Sequence, residues 1–463
     1  MIKQSIFTCL LSLAVSAAVA ADKPNVVFIL ADDLGYGGLH SQGTDWLETP
    51  HLDQLATEGM RFNQGYASHA TCQPSRIAIL SGQYAPRTGG YRVMEHHRGK
   101  EHFIKYKVPE LTGLPLEKIT FAEHFKAHGY ATAMYGKWHA GNYRKDLHPR
   151  YHGFDEAHVC RGHYDDSRSD PPLELPEGID SNEYFTGEAI EFMEAAVERE
   201  QPFFLYMPYY QIHAPFEAPQ PLVDHFTEKL AGMEFKDRRP ELVPIIAAMT
   251  KHLDDCAGRL LETLEKLGIE ENTIVVFTSD NGAYTPDLTG GFRGQKGELY
   301  DGGLRVPYFF KFPGQIQPGT ESDERITHVD LYPTFVELAG LPAPAPEEHI
   351  LDGESLAGLL RGEAQALPER SIVCYHPKYE NYNAKTQTWR WPWRNVIFHG
   401  DYKMREVVEY GTYELYNLKD DPKETKDLSE THPEQTQKMI QRLRAWEKQT
   451  GAPELTLNPD YVL

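Results

Sequence analysis

The run Asn25-Val26-Val27-Phe28-Ile29-Leu30, followed directly by Ala31-Asp32-Asp33, gives the clearest indication of the fold. A continuous apolar run with several β-branched residues is typical of a strand that is buried on both faces of a sheet. Two adjacent carboxylates at the end of such a strand repel one another unless a cation neutralises them. The stretch therefore predicts a buried strand that ends at half of a site for a hard metal ion, and the alternative is a solvated loop.

The same pattern, a buried strand followed by polar residues, recurs along the chain. Further strands are predicted at residues 130–135, 203–207, 273–278 and 306–310. The polar segments that follow three of them are Gly136-Lys137-Trp138-His139, Gln211-Ile212-His213 and Ser279-Asp280-Asn281. Helical patterns lie between the strands, at residues 120–128 and 242–267. This alternation predicts an α/β fold with a large, mostly parallel (mixed) sheet flanked by helices, whose ligands bind at the carboxyl ends of the strands.

A single cysteine begins the segment Cys72-Gln73-Pro74-Ser75-Arg76, which continues as an apolar run to Gly82. This order predicts a thiol in the first turn of a short helix, where the helix N-terminus favours an anion. Taken alone, a structural cysteine, either buried or disulfide-bonded, is the more common case. Further along, the glycine-rich loop 290–303 holds Lys296 within Gly294-Gln295-Lys296-Gly297.

The sequence changes character near Leu341, where Pro-Ala-Pro-Ala-Pro and two glutamates indicate a surface connection. After Glu369 short strands predominate, at residues 371–375, 395–398, 402–404 and 413–417, before a helix from about residue 433 to 449. We therefore predict a main domain at residues 21–369 and a smaller C-terminal subdomain at residues 370–463, built from an antiparallel sheet and a helix.

The first 20 residues have the features of a secretory signal peptide. Lys3 precedes an apolar core, and Ala18-Val19-Ala20 suits cleavage before Ala21. No later stretch approaches the roughly 18 apolar residues that a membrane span needs. We therefore expect a secreted or periplasmic protein without a membrane span. Cys9 leaves with the signal peptide, and the sequence does not choose a disulfide pair among the other cysteines, which are Cys72, Cys160, Cys256 and Cys374.

Composition limits the classes of function. The 463 residues include 40% hydrophobic ones, which is enough for a large core. The formal net charge is −22, from 46 Lys and Arg against 68 Asp and Glu. Such a charge repels polyanions at long range and argues against a nucleic-acid-binding protein. An anionic substrate would therefore have to be held by a local basic cluster.

Together these motifs resemble those of the type I sulfatases, which belong to the alkaline phosphatase-like superfamily. Cys72-Gln73-Pro74-Ser75-Arg76 followed by Leu80-Ser81-Gly82 is similar to the family motif whose cysteine is oxidised to formylglycine (3-oxoalanine). The other motifs follow in the family's order, and the tail segment Glu414-Leu415-Tyr416-Asn417-Leu418 is similar to the closing segment of these enzymes. The resemblance covers nearly the whole mature chain, and it makes 21–369 a catalytic sulfatase domain.

The resemblance implies a metal site and a set of catalytic residues. One Ca²⁺, with Mg²⁺ as the alternative, would be held by Asp32, Asp33, Asp280, Asn281 and an oxygen of the modified Cys72. The implied catalytic residues are Cys72, Arg76, Lys137, His139, His213, Asp280 and Lys296. The hydrated aldehyde at position 72 would offer one hydroxyl to attack sulfur and a second one to release sulfate.

The family mechanism assigns a proton transfer or a charge to each of these side chains. Asp280 would help to deprotonate the attacking hydroxyl, and Arg76 and Lys137 would favour its alkoxide. Lys296 and His213 would meet the sulfate oxygens and protonate the leaving alcohol. His139 would take the proton of the second hydroxyl.

The substrate is predicted from basic and aromatic loops. The candidate substrate contacts are His96, His97, Arg98, Arg161, His163, Arg293 and Trp391. They favour a sulfated carbohydrate, such as an algal polysaccharide fragment or a glycosaminoglycan, and each stretch is alternatively surface charge or packing. The implied protein partner is a formylglycine-generating or anaerobic sulfatase-maturing enzyme. The alternative functions are a phosphodiesterase or phosphonate monoester hydrolase of the same superfamily, and a carbohydrate-binding protein without catalysis.

Overall fold

The structure is a computed structural model that describes residues 23–93, 101–110, 112–141, 144–164 and 169–462. The predicted signal peptide with Cys9 lies outside the described residues. The predicted substrate contacts His96, His97 and Arg98 lie outside them as well.

Two sheets organise the described part of the chain, a sheet of eight strands and a sheet of four strands with a separate hairpin beside it. The strands are β1 (Asn25–Ala31), β2 (Met60–Tyr66), β3 (Ala131–Gly136), β4 (Glu156–Val159), β5 (Phe203–Pro208), β6 (Thr273–Ser279), β7 (Tyr308–Lys311), β8 (Thr320–Thr327), β9 (Ser371–His376), β10 (Glu380–Asn383), β11 (Thr388–Trp391), β12 (Arg394–His399), β13 (Tyr402–Val407) and β14 (Thr412–Asn417). The α-helices are α1 (Pro50–Glu58), α2 (Cys72–Ser81), α3 (Ala85–Thr88), α4 (Phe121–Ala127), α5 (Ser181–Glu198), α6 (Gln220–Lys229), α7 (Val243–Leu267), α8 (Asp301–Leu304), α9 (Leu331–Leu338), α10 (Ala357–Leu360) and α11 (Pro433–Thr450).

The eight-stranded sheet has the order β4-β3-β5-β1-β6-β7-β2-β8. Seven of these strands run in one direction, and β7 runs against them because it pairs antiparallel with both β6 and β2. The strands from β4 to β6 form a continuous parallel block with β1 near its centre. This mixed, mostly parallel sheet confirms the predicted fold class.

Both faces of β1 are covered, which explains its unbroken apolar sequence. All seven of its residues are buried. Val27 and Ile29 belong to a core cluster that includes side chains of α5 and α7. Val26 and Phe28 belong to a second cluster that includes side chains of α4 and α9. Since successive side chains of a strand point to opposite faces, an apolar residue is needed at every position.

The smaller antiparallel sheet has the order β14-β13-β12-β9. Helix α11 covers one of its faces through Met439, Leu443 and Trp446. On the other face of this sheet, Cys374 and Phe398 pack with Tyr66 of β2 and with Leu299. The predicted antiparallel sheet with a helix is confirmed, while the predicted division at residues 369 and 370 stays a prediction.

The four cysteines that the structure describes are buried free thiols, so none of them is bonded to another. None of the helices in the described residues combines the length and the apolar character that a membrane crossing requires.

Candidate active site

The carboxylates predicted at two strand ends lie side by side. Strands β1 and β6 are parallel neighbours, and Ala31 is in register with Ser279. Asp32 and Asp33 therefore meet Asp280 just beyond the sheet. The backbone N–H of Asp280 donates to the carbonyl oxygen of Ala31 at 3.0 Å, and that of Asp33 donates to Oδ1 of Asp280 at 3.2 Å.

Cys72 opens helix α2 directly against these carboxylates. Its Sγ lies 3.4 Å from Oδ1 of Asp32 and 3.8 Å from Oδ1 of Asp33. All ten residues of α2 are buried, and Gly82 ends the helix in the left-handed region with a φ of 64°. No side chain caps the first turn of α2, so the partial positive charge of its free N–H groups remains at the end of the helix that carries Cys72.

Each carboxylate is paired with a cation of its own. Lys137 Nζ donates to Oδ2 of Asp32, and Lys296 Nζ donates to Oδ2 of Asp33 at 2.7 Å. The buried Arg76 donates from Nε to Oδ2 of Asp280 at 2.8 Å and from Nη1 to the carbonyl oxygen of Lys137 at 2.6 Å. The predicted catalytic cations are thus brought together around the predicted metal ligands.

Burial and the neighbouring charges shift the pKa values of Asp280 and Asp32 in opposite directions. Burial raises the pKa of Asp280 to about 6, and the neighbouring charge of Asp32 adds to that shift. Burial acts on Asp32 in the same sense, but Lys137, His213 and the other cations together hold the pKa of Asp32 well below its usual value. The pKa of the Cys72 thiol is raised well above its usual value by burial and by the two carboxylates. A neutral thiol at this position is a poor nucleophile, because the thiolate is the reactive form.

Asn281 offers an acceptor that no donor satisfies in the described part of the chain. Its Nδ2 donates to Oδ1 of Asp33 at 2.8 Å and to the carbonyl oxygen of Gly282 at 3.0 Å, which fixes the orientation of the amide. Its Oδ1 is buried without a hydrogen-bond donor. Ligand atoms of Asp32, Asp33, Asp280 and Cys72 lie within 4.8 Å of one another. Carboxylate and amide oxygens are the ligands of a hard cation, so these residues fit the predicted metal site.

Two histidines complete the centre. His213 is held by a 2.6 Å contact from Nδ1 to the carbonyl oxygen of Ala214, so Nδ1 carries the proton and Nε2 is left for other partners. His213 also offers a ring nitrogen within 4.8 Å of ligand atoms of Asp32 and Cys72. His139 is half-buried, and its buried Nδ1 atom has no hydrogen-bond partner in the described residues. Burial and the nearby Lys137 hold the pKa of His139 well below its usual value, so the ring is a neutral proton acceptor.

The centre forms the floor of an open cavity of about 670 Å³. Cys72, His139, His213 and Lys296 all line it. Further lining residues come from the segment between α6 and α7 and from the hairpin β10–β11; they are Lys236, Asp237, Arg238, Arg239, Glu380, Arg390 and Trp391.

The predicted substrate contacts that the structure describes lie in different parts of the fold. Trp391 lines the cavity, whereas Arg161 is partly exposed and is not among the lining residues. His163 is fully buried behind His213, whose carbonyl oxygen lies 3.0 Å from its Nε2. Arg293 faces the smaller sheet, where it donates to the hydroxyl of Tyr416 at 3.1 Å. Direct substrate contact by His163 is therefore corrected to positioning, because the residue is fully buried and both of its ring nitrogens have protein partners. Arg293 is exposed and only its Nη1 is engaged, so its contact with the substrate stays a prediction.

Several basic residues of the cavity were not predicted from the sequence. They are Lys236, Arg238, Arg239, Lys378 and Arg390. The first three fall in an irregular segment without a recognisable pattern, and Arg390 lies in the aromatic stretch Trp389-Arg390-Trp391-Pro392-Trp393. The adjacent run Lys236-Asp237-Arg238-Arg239 is the one feature that could have drawn attention to them.

A second group of potential metal ligands lies close to the centre, formed by His69, Cys374 and His376. The two imidazole rings are stacked, with centroids 4.3 Å apart and an angle of 13° between their planes. Imidazole binds a metal through a lone pair that lies in the ring plane. Two nearly parallel stacked rings cannot direct such lone pairs at one ion, so this group is packing rather than a metal site.

Comparisons with known proteins agree with this geometry. The family model for sulfatases matches residues 24–341, and the model for the C-terminal part of N-sulphoglucosamine sulphohydrolase matches residues 293–449. N-acetylgalactosamine-6-sulfatase of Mus musculus is 32% identical over 84% of this chain and 77% of its own length. A sulfatase of Formosa agariphila is 30% identical over 94% of this chain and 90% of its own length.

Solved structures share the fold over most of the chain. Ps i-CgsB, solved in complex with k-i-k-neocarrahexaose, superposes with a TM-score of 0.75 at 26% identity, covering 92% of each chain. The phosphonate monoester hydrolase of Agrobacterium radiobacter superposes with a TM-score of 0.67 over 92% of this chain and 96% of its own, and its 18% identity shows the fold alone. With the family model and these relatives, the chain belongs to the sulfatase family and is a sulfuric ester hydrolase.

Proposed function

We propose that this sulfatase hydrolyses sulfate esters of a carbohydrate, with Cys72 converted to formylglycine and with Ca²⁺ as the metal ion. The observation that carries the proposal is the position of Cys72. It begins a buried helix, lies 3.4 Å from Asp32 and opens into a cavity with a basic lining. The raised pKa of the unmodified thiol argues that the residue acts after conversion rather than as a thiolate.

The oxygen donors of the site support Ca²⁺. Asp32, Asp33, Asp280 and Asn281 would hold the ion together with an oxygen of residue 72, and the unsatisfied Oδ1 of Asn281 supports this set. When bound, Ca²⁺ would supply a Lewis acid, and formylglycine would supply one hydroxyl to attack sulfur and a second to release sulfate.

The side chains of this chain would then bind the ester and move its protons. Arg76 and Lys137 would supply positive charge beside residue 72, and Lys296 and His213 would meet the sulfate oxygens and protonate the leaving alcohol. Asp280 would accept the proton of the attacking hydroxyl, and the neutral His139 would accept that of the second one. Overall, one water is consumed, and the ester gives an alcohol and sulfate.

The names of relatives support a carbohydrate as the substrate. One relative is named N-acetylgalactosamine-6-sulfatase, and a neighbour at 26% identity was solved with a neocarrahexaose. Trp391 and Tyr284 in the cavity lining offer aromatic faces on which a sugar ring can pack. We further propose export through the signal peptide at residues 1–20 and conversion of Cys72 by a formylglycine-generating or anaerobic sulfatase-maturing enzyme.

Parallel kinetics test the function. Protein produced with a maturing enzyme is assayed on sulfated oligosaccharides and on matched sulfate, phosphate and phosphonate aryl esters, with Cys72→Ala as the control. We expect sulfate release that is lost in Cys72→Ala. Faster turnover of the phosphate or phosphonate esters, or binding of sugars without any turnover, would contradict the proposal. The N-terminal sequence of the exported protein tests the leader, and we expect it to begin at Ala21.

A further inference from the structure

We propose that the mouth of the active-site cavity contains a subsite for a second anionic group of the carbohydrate, a sulfate ester or a carboxylate, formed by Arg239 and Arg390. This inference rests on the proposed function, because it concerns the part of the substrate that does not react. Neither arginine belongs to a motif of the sequence, and both line the cavity that opens above Cys72.

Arg239 is held in place by the segment between α6 and α7. The carboxylate of Asp287 accepts hydrogen bonds from the backbone N–H groups of Lys236 and Asp237, at 2.8 and 2.9 Å. The Nη2 of Arg239 donates to the hydroxyl of Tyr284 at 2.6 Å. The guanidinium group therefore has a defined position, and a ligand that binds it loses less side-chain entropy.

Arg390 is positioned by the hairpin β10–β11. Its guanidinium carbon lies 4.6 Å from the ring centroid of Trp391, the neighbouring residue of β11. Contact with an aromatic face limits the rotamers of the arginine, and the residue remains exposed to solvent. Arg239 and Arg390 are both exposed, and neither has a carboxylate partner in the part of the chain that the structure describes.

The carboxylates of the cavity bond to other groups, and none forms an ion pair with these two arginines in the described residues. Glu380 is paired with Lys378 at 2.7 Å. Oε2 of Glu298 accepts from the backbone N–H of Gln295 at 3.2 Å, and Oδ1 of Asp237 accepts from that of Arg239 at 2.8 Å. The cavity lining thus carries six lysines and arginines against three carboxylates, on a chain whose formal net charge is −22.

The depth of the cations separates this subsite from the reacting group. The scissile sulfate has to reach residue 72, which is 1% exposed and has the buried Lys137 beside it. Arg239 and Arg390 are exposed residues on other elements of the fold. The positive charge at the mouth of the cavity would therefore bind an anionic group farther along the sugar chain. Guanidinium groups are suited to it because they bind sulfate and carboxylate with two parallel hydrogen bonds.

Binding to full-length Cys72→Ala protein tests the subsite without turnover. Calorimetry at several salt concentrations measures the binding of carrageenan and chondroitin oligosaccharides. The oligosaccharides that are compared have equal length and carry either one or two anionic groups. We expect the second anionic group to improve affinity at least about tenfold, with a steeper loss at high salt. Arg239→Gln and Arg390→Gln, each added to Cys72→Ala, should remove most of that gain, while the exposed, distant Arg199→Gln should retain it.

Two results would overturn the inference. One is equal affinity for oligosaccharides with one and with two anionic groups, and the other is a preference that survives both arginine substitutions in folded protein. Thermal unfolding checks that each variant is folded. If converted wild-type protein released no sulfate, that result would instead contradict the proposed function. The binding comparison could still be interpreted, because it uses Cys72→Ala protein and needs no turnover.

Discussion

Asn281 shows how one residue can indicate a ligand. Its amide nitrogen is held by two oxygens, so its Oδ1 has a fixed direction and no donor among the described residues. A buried acceptor without a partner costs free energy, and a cation bound there removes that cost. The three carboxylates beside it would supply negative charge to the proposed Ca²⁺.

Asn281→Ala should therefore weaken Ca²⁺ binding by at least about tenfold, since even residues outside the ligand set of a metal have effects of that size. The measurement is the rise in melting temperature on adding Ca²⁺ to protein treated with a chelator, because a ligand that binds the folded state raises its stability. The exposed Asn383→Ala is the matched control and should keep the full rise. An equal rise in Asn281→Ala would show that Asn281 does not bind the ion.

Single residues also show where sequence reasoning about the site succeeded and where it could not. Cys72, Lys137 and Asp280 could be placed together because each follows or faces a strand end, and parallel strands end at one edge of a sheet. Arg293 could not be placed, because a basic residue beside glycines in a loop looks the same whether it faces a cavity or another sheet. Its guanidinium contacts Tyr416 and Glu424 instead.

At the scale of elements, the glycine-rich loop that carries Lys296 depends on close backbone contacts. A Cβ added to Gly303 of α8, directly after this loop, would lie 2.1 Å from the carbonyl oxygen of Glu298 and 2.5 Å from that of Gln295. The carbonyl oxygen of Gly303 accepts from the backbone N–H of Gly282, next to Asn281. The loop and the metal ligands are therefore linked through backbone atoms that a side chain would separate.

Gly303→Ala should lower stability by roughly 1–3 kcal/mol and should lower kcat, because overpacking here moves the backbone on both sides of Lys296. Urea unfolding and turnover of an aryl sulfate measure the two effects. Gly187→Ala in α5 is the control, since a Cβ there meets nothing within 4 Å and alanine favours a helix by about 0.5–1 kcal/mol. A Gly303→Ala protein as stable and as active as wild type would refute the link.

Elements with a strong hydrophobic pattern were predictable, and those without one were not. The predicted helix at residues 242–267 is observed as Val243–Leu267, and the predicted strand at 273–278 as Thr273–Ser279. Strand β8 escaped prediction because its sequence Thr-Glu-Ser-Asp-Glu-Arg-Ile-Thr is mostly charged or polar. It lies at the edge of the sheet, where its pairing with β2 rather than its own side chains makes it a strand.

At the scale of the whole molecule, one buried charge cluster joins the two sheets. Lys403 of β13 is fully buried, and its Nζ lies 2.8 Å from Asp301 and 2.7 Å from Glu424. Asp301 begins α8, which follows the glycine-rich loop. Two carboxylates share a single lysine here. Burial, with the charge of Asp301, raises the pKa of Glu424 to about 7 although Lys403 opposes the shift.

This raised pKa predicts how stability depends on pH. Because the folded state holds the proton of Glu424 more tightly than the unfolded state does, the stabilisation is complete below about pH 4.5 and is lost as the pH rises to about 7. Glu424→Gln imitates the protonated form, so its stability relative to wild type should increase from pH 5 to pH 8, by roughly 2–3 kcal/mol.

Melting temperatures of both proteins across that pH range provide the measurement, and the exposed Glu363→Gln should show a constant difference from wild type. If the difference between Glu424→Gln and wild type did not change with pH, Glu424 would not be the titrating group.

The arrangement of the molecule as two sheets was predictable from the order of its strands, but the contacts between the sheets were not. Lys403 and Glu424 lie in separate short segments without periodicity, and a lysine in a predicted strand gives no indication of full burial. The free state of Cys160, Cys256 and Cys374 could not be predicted either, because disulfide formation depends on the distance between residues that are far apart in sequence.

Residue 72 is the proposed source of the catalytic group. The most direct test is the rate of sulfate release by preparations that differ in how much of Cys72 has been converted, with the fraction of aldehyde at residue 72 measured by peptide mass spectrometry. We predict that the rate is proportional to the fraction of aldehyde and is zero where that fraction is zero. The Cys72→Ser variant should follow the same relation. Full sulfate release from protein whose residue 72 is an unmodified thiol would contradict the account.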